Sequence, residues 1–188
     1  MHKLYAMKQF LPLFLLVLTG CGLATTPTPS SQAPRLASLP DRGEAPELTD
    51  QTWLNTPTPL HLSDLRGKVV LLEMWTFDCT NCRHTIPHLN AWYAKYAGQG
   101  LLIIGNHFPE FPYEADLVNL KKAVQDLGIK YPVIQDNAGA TWNAYKNNYW
   151  PAIYLIDKFG HIRYIQIGEG AYDITEAAFK DLLAEKYQ

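Results

Sequence analysis

Val69-Val70-Leu71-Leu72-Glu73-Met74-Trp75 runs directly into Thr76-Phe77-Asp78-Cys79-Thr80-Asn81-Cys82, and the reading of this stretch decides the fold. Six of its first seven residues are apolar, the pattern of a strand buried on both faces. Beyond it Ile86, Leu89, Trp92, Tyr93 and Tyr96 recur at three- and four-residue spacing. That periodicity predicts a helix from about Cys79 to Ala97, stopped by Gly98 and Gly100. Two thiols therefore sit where a buried strand gives way to a helix.

Cysteines separated by two residues on a first helical turn lie close enough to form a small disulfide ring. Cys79 falls at the helix N-terminus, where unpaired backbone N–H groups and the helix dipole favour a thiolate, so it reads as the nucleophile. Cys82, one turn inside and shielded, reads as the resolving thiol. Asp78 pushes the Cys79 pKa up, while Arg83 and His84 pull it down. The reduction potential follows from that balance and is not set by the sequence.

Glu73 is the second telling residue, because a carboxylate inside VVLLEMW is costly to bury. One reading makes it a structural glutamate, either at a sheet edge or hydrogen-bonded. The other makes it a buried acid, its pKa raised by desolvation, that takes the proton from Cys82 when a mixed disulfide is resolved.

Working outward, Leu101–Gly105 is a second buried strand, Glu114–Leu127 a second helix, Tyr131–Gln135 a short strand and Ala138–Lys146 a short helix. Pro151–Asp157 and His161–Gln166 flank Lys158-Phe159-Gly160 as a hairpin, and a last helix runs from about Ile174 to Tyr187. Strands alternating with helices, then a hairpin and a helix, predict an α/β sandwich with a mixed sheet. Pro87 falls inside the first helix and bends it. Pro151 opens a strand after Trp150 and is a candidate for a cis peptide bond. Phe108-Pro109-Glu110-Phe111-Pro112-Tyr113 forms a stiff loop at the C-terminal end of a strand, where α/β proteins place ligand contacts. It reads equally as a groove for a partner or a cap over the core.

The N-terminus is an address. Lys3 and Lys8 precede the nine-residue run Phe10–Leu18, too short to span a bilayer, followed by Leu18-Thr19-Gly20-Cys21. This resembles a bacterial lipobox, which implies cleavage before Cys21 and its lipidation. Residues 1–20 are then a signal peptide, 21–45 a tether and 46–188 the folded domain. Seven of the chain's thirteen prolines lie between Gly22 and Pro59, amid Thr, Ser and Ala. Such composition buries too little apolar surface to offset ordering entropy. The whole chain, 188 residues with 47% hydrophobic composition and a formal charge of −2, suits one globular domain. Without a basic excess it is no nucleic-acid binder, and three cysteines cannot form a multi-bridge scaffold.

The segment Glu73–Cys82, the proline five residues on and Trp150-Pro151 before the last hairpin resemble the thioredoxin superfamily. The lead-in Leu62–Trp75 and the longer central segment with its extra helix resemble, more narrowly, the TlpA-like and ResA-like reductases and the thioredoxin-like domain of DipZ proteins. The resemblance covers residues 45–188 and implies a thioredoxin-like fold, with Cys79 attacking, Cys82 resolving and Glu73 in the buried-acid position. It implies further that Pro151 is the cis-proline facing the cysteines, that Trp150 offers its backbone to an extended substrate, and that Thr80 and Asn81 meet that substrate. Phe77-Asp78 departs from the family's usual tryptophan before the first cysteine, and Thr80-Asn81 from its Gly-Pro or Glu-Pro. The implied activity is thiol:disulfide exchange without a cofactor, on the extracytoplasmic side of a bacterial membrane. Its implied partners are disulfide-containing proteins such as apocytochrome c and a membrane thiol donor of the CcdA or DsbD kind.

Three rival readings attach to the same residues. His84 and His88 lie near the cysteines, but Arg83 occupies the place a haem-attachment histidine needs, and a zinc site needs two more ligands. Thr76 precedes Cys79 by three, the T-x-x-C phrase of peroxiredoxins, with Cys82 able to resolve a sulfenic acid. A structural clip on a lipoprotein that binds a partner is the non-enzymatic reading.

Overall fold

The computed structural model describes residues 39–48 and 52–188; Cys21 and the predicted signal peptide lie outside the described residues. In chain order the elements are β1 (Trp53–Leu54), β2 (Val69–Trp75), α1 (Thr80–Tyr96), β3 (Leu101–His107), α2 (Leu117–Asp126), β4 (Val133–Gln135), α3 (Ala140–Ala144), β5 (Ala152–Ile156), β6 (Ile162–Ile167) and α4 (Tyr172–Ala184). They build one mixed sheet in the order β1-β4-β3-β2-β5-β6. Strands β2, β3 and β4 run parallel, while β5 pairs antiparallel on the other side of β2.

Every residue of β2 is buried, and its alternation divides the core in two. Val69, Leu71 and Trp75 join Ile86 and Leu89 of α1, Leu120 of α2 and Phe179 of α4. Val70, Leu72 and Met74 join Trp142 of α3 with Leu62 and Leu65. Covered on both faces, the central strand has no polar side to alternate, which is why it reads as a continuous apolar run. By the same alternation Glu73 faces the α1 layer.

Gly105 of β3 lies in register with Glu73. A Cβ there would come within 2.8 Å of the Trp75 indole nitrogen and 3.3 Å of the Tyr131 ring. The missing side chain lets both aromatics close over the strand.

The structure corrects the second helix, which begins at Leu117 and not at Glu114. Pro112–Ala115 forms a separate 3-10 turn, and Asp116 caps α2, its Oδ1 accepting from the Val118 and Asn119 N–H groups at 2.7 and 3.0 Å. An aspartate satisfies those orphan donors better as a cap than inside a helix. The two-residue β1, antiparallel to β4, carries no periodic signal and was not anticipated.

Residues 39–48 are also packed, although composition assigns most of them to the tether. Arg42 N–H donates to the Ile162 carbonyl and Ile162 N–H to the Gly43 carbonyl, each at 2.9 Å. Arg163 Nη2 donates to the Leu39 carbonyl at 2.7 Å. These are largely backbone contacts, which composition does not report.

Candidate active site

The C-terminal ends of β2 and β3 and the start of β5 meet at one end of the sheet. Cys79 caps α1 with extended backbone, φ −72° and ψ 116°, and its Sγ accepts from the Cys82 N–H at 3.2 Å. Thr80 and Asn81 lie exposed on the first turn. Cys79 is half-buried, Cys82 fully buried, and both are free thiols.

This geometry separates the two sulfurs chemically. The Cys82 thiol donates to Cys79, and the Cys82 and Asn81 N–H groups add to it, bringing the Cys79 pKa down from 9.0 to about 7 despite partial burial. Burial above all drives Cys82 well above the ordinary thiol range, helped by its bond to Cys79 and by the Glu73 charge. One thiol is poised to ionise near neutral pH, and its partner holds its proton.

Glu73 is wholly buried, and desolvation raises its pKa to about 8. The Tyr131 hydroxyl donates to Oε2 at 3.4 Å and opposes the rise, whereas the Cys79 charge adds to it. The other oxygen, Oε1, has no hydrogen-bond partner among the described residues. Strand β2 is central in the sheet, so Glu73 is not an edge glutamate, while its bond to Tyr131 fits a hydrogen-bonded structural glutamate as well as a buried acid.

The Trp150–Pro151 peptide is cis. Ala152 pairs with Met74, which sets Pro151 at the sheet end from which Cys79 emerges. Trp150 Nε1 donates to the Phe108 carbonyl at 3.2 Å, and the Phe108 and Trp150 rings stack at 5.9 Å, with Trp142 4.5 Å from Trp150. The two candidate metal histidines go elsewhere: His84 Nδ1 lies 3.2 Å from Glu169, and His88 stacks on Tyr172 at 3.6 Å.

The AhpC/TSA family model matches residues 42–165, a span that includes the strand, both cysteines and the cis-proline. The chain belongs to the AhpC/TSA family. It is 48% identical over 150 residues to Protein DipZ of Mycobacterium bovis, covering 78% of this chain and 22% of that protein, so the match spans about a fifth of DipZ. It is 31% identical over 146 residues to the thiol-disulfide oxidoreductase YkuV of Bacillus subtilis, covering 77% of this chain and 97% of that protein. Among solved structures, the thioredoxin-like superfamily protein SPOA0173 superposes with a TM-score of 0.72 at 33% identity, covering 77% of this chain and 99% of that one. The fold is thioredoxin-like, as the sequence resemblance implied.

Within this AhpC/TSA-family chain, sequence reasoning missed a buried carboxylate at the active-site approach. Glu114 Oε1 accepts from the Thr76 hydroxyl and, at 3.0 Å, from the Asp78 N–H. Oε2 accepts from the Glu110 and Phe111 N–H groups, each at 2.8 Å. The one visible signal was Pro112 followed by Glu114, a glutamate spaced to reach back to the start of its own turn. Burial holds His107 neutral, with a pKa near 4, and its Nε2 lies 3.2 Å from the Thr76 hydroxyl oxygen. The peroxidase reading asks the Thr76 hydroxyl to support the Cys79 thiolate. Its only proton is instead given to Glu114.

The raised Glu73 carboxyl makes stability depend on pH. Below about pH 4 the group is protonated in both folded and unfolded chains and contributes no slope. Between 4.5 and about 8 the unfolded chain releases a proton that the folded chain keeps, so stability falls as pH rises. Glu73→Gln removes that slope. Its unfolding free energy minus the parent's is expected to climb through this window by about 1.4 kcal/mol per pH unit and to be flat below it, as urea denaturation across the pH range will measure. A difference independent of pH would contradict the burial-raised carboxyl.

Proposed function

We propose that this chain is a thiol:disulfide oxidoreductase working through the Cys79–Cys82 dithiol, with Glu73 as the proton acceptor. The observation that carries the reading is the asymmetry of the pair: a half-exposed thiol of lowered pKa one turn from a buried thiol of raised pKa, beside a buried acid. The Cys79 thiolate attacks a substrate disulfide, forming a mixed disulfide and releasing one substrate thiolate. Once the mixed disulfide has removed the Cys79 charge, the Glu73 carboxyl releases its own proton to solvent; Cys82 then gives its proton to the resulting carboxylate, and its sulfur attacks Cys79 Sγ, releasing the second substrate thiolate. The substrate gains two electrons and the enzyme is left as the Cys79–Cys82 disulfide.

Timing follows from electrostatics. The Cys79 charge raises the pKa of both Glu73 and Cys82. In the mixed disulfide that charge is gone, so Glu73 ionises more readily and Cys82 becomes more acidic at the step where one must deprotonate the other.

The first-turn position of Thr80 and Asn81, and that of Trp150 and the cis Pro151 at the start of β5, support these four as the substrate-contacting positions. The lipobox-like Leu18–Cys21 supports a lipid anchor at Cys21, residues 21–45 as a spacer, and work on the extracytoplasmic face of a bacterial membrane. The likeness to DipZ and to the ResA-like reductases supports a reductant recharged by a membrane thiol donor of the CcdA or DsbD kind. Its substrates are then disulfide-containing proteins such as apocytochrome c.

With a disulfide-bonded protein as substrate, Cys82→Ser is expected to accumulate the mixed disulfide at Cys79, and Cys79→Ser to abolish both exchange and adduct. Exchange at parental rate in Cys79→Ser contradicts the mechanism. Equilibration of the pair with glutathione or dithiothreitol is expected to give a potential near or below the roughly −270 mV of thioredoxin. A value near the roughly −120 mV of a strong oxidant would reverse the direction of electron flow.

A further inference from the structure

The loop Phe108–Tyr113, whose aromatics and prolines the proposed reaction does not itself use, is tied to the active site at both ends. At one end the Phe108 carbonyl and ring hold Trp150 beside the cis-proline. At the other the Tyr113 hydroxyl donates to the Asp78 carboxylate, and the Tyr113 ring lies 6.1 Å from that of Phe77. Between these ends the loop backbone turns inward on Glu114, which is fully buried.

Four donors converge on this one carboxylate, the full acceptor complement of its two oxygens. Two come from the β2 exit, Thr76 and Asp78, and two from the loop, Glu110 and Phe111. The Asp78 N–H is one residue from Cys79, so fixing it fixes the peptide that leads into the α1 cap.

We propose that Glu114 is a positioning residue for Cys79: by clamping the Asp78 N–H to the Glu110–Phe111 backbone it holds the nucleophile in the cap geometry in which the first-turn N–H groups reach its sulfur. The proposal rests on the assignment of Cys79 as nucleophile. A neutral glutamine in place of Glu114 offers an NH2 group to at least one pair of donors, which repels the N–H it was meant to accept.

The groups that face the Cys79 sulfur set the sign of the effect. Cys82 and the N–H groups of Asn81 and Cys82 on α1 lower its pKa, and Glu110 on the loop raises it. Glu73 on β2 is charge-coupled to it, and Asp78 and Arg83 flank it in the chain. Releasing the clamp weakens the α1 hydrogen bonds and also frees Glu110. Glu110 is exposed and water-screened, and it ranks last among these influences. The hydrogen bonds therefore decide the direction, and Cys79 becomes a weaker acid.

The test is the rate of Cys79 alkylation by iodoacetamide against pH in the reduced full-length chain, for the parent, Glu114→Gln and Glu114→Asp, with fold checked by circular dichroism. In the folded variants the rate near about pH 6 is expected to fall about threefold, the effect of a half-unit rise in a thiol pKa, with the alkaline plateau unchanged. A parental pH profile in either folded variant overturns the proposal. Failure of both variants to fold overturns it too, assigning Glu114 to stability alone. Alkylation reports the thiol and not turnover, so a parent chain inactive in disulfide exchange would sink the proposed function while leaving this result readable.

Discussion

A charged residue type is buried in the central strand, and the rest of the site is arranged around the cost of keeping it there. Glu73 lies in a strand covered on both faces, where an unpaired carboxylate is several kcal/mol too expensive and the group takes up a proton in its place. Tyr131 offers it a single long hydrogen bond, and Gly105 leaves the space in which Tyr131 and Trp75 pack. The acid is thus held neutral and within electrostatic reach of Cys79. The parallel pairing of β2 with β3 brings the loop after β3 to the same sheet end as the thiols.

The second determinant is the way α1 begins. Placing Cys79 at the cap and Cys82 one turn inside gives two identical side chains opposite chemistry, one stabilised as a thiolate by N–H groups and one denied solvent. The approach to that cap is held by hydrogen bonds outside the helix. Glu114 fastens the β2 exit to the following loop, and Phe108 fastens the same loop to Trp150 and the cis-proline. The thiol consequently sits between two backbone segments joined by one continuous loop, which is the form of preorganisation that exchange chemistry benefits from.

Much of this was legible in the sequence, for physical reasons that also mark where legibility stops. Strand β2, helix α1 and the final hairpin declare themselves because both-face burial, 3.6-residue periodicity and a glycine turn leave local patterns. The pair Cys79–Cys82 and Glu73 stand out as residue types at odds with, or strategically placed in, those patterns. Glu114 does not, because a glutamate at the start of an expected helix looks like an ordinary exposed first-turn acid. Its burial depends on backbone N–H groups from residues up to 36 positions away. The packing of residues 39–45 and the pairing of β1 with β4 were not legible for a related reason: they rest in large part on main-chain hydrogen bonds, which leave no periodic side-chain pattern. Asp116 shows the finer limit, where a capping residue was absorbed into the helix it begins.

The central claim is that burial keeps Glu73 protonated at neutral pH in the reduced protein. Titration of its side-chain carboxyl carbon by NMR, in the reduced full-length chain labelled at glutamate and assigned by comparison with Glu73→Gln, measures this directly. The account predicts a midpoint near 8. A midpoint near the ordinary 4.5 would leave Glu73 ionised beside the dithiol and contradict it.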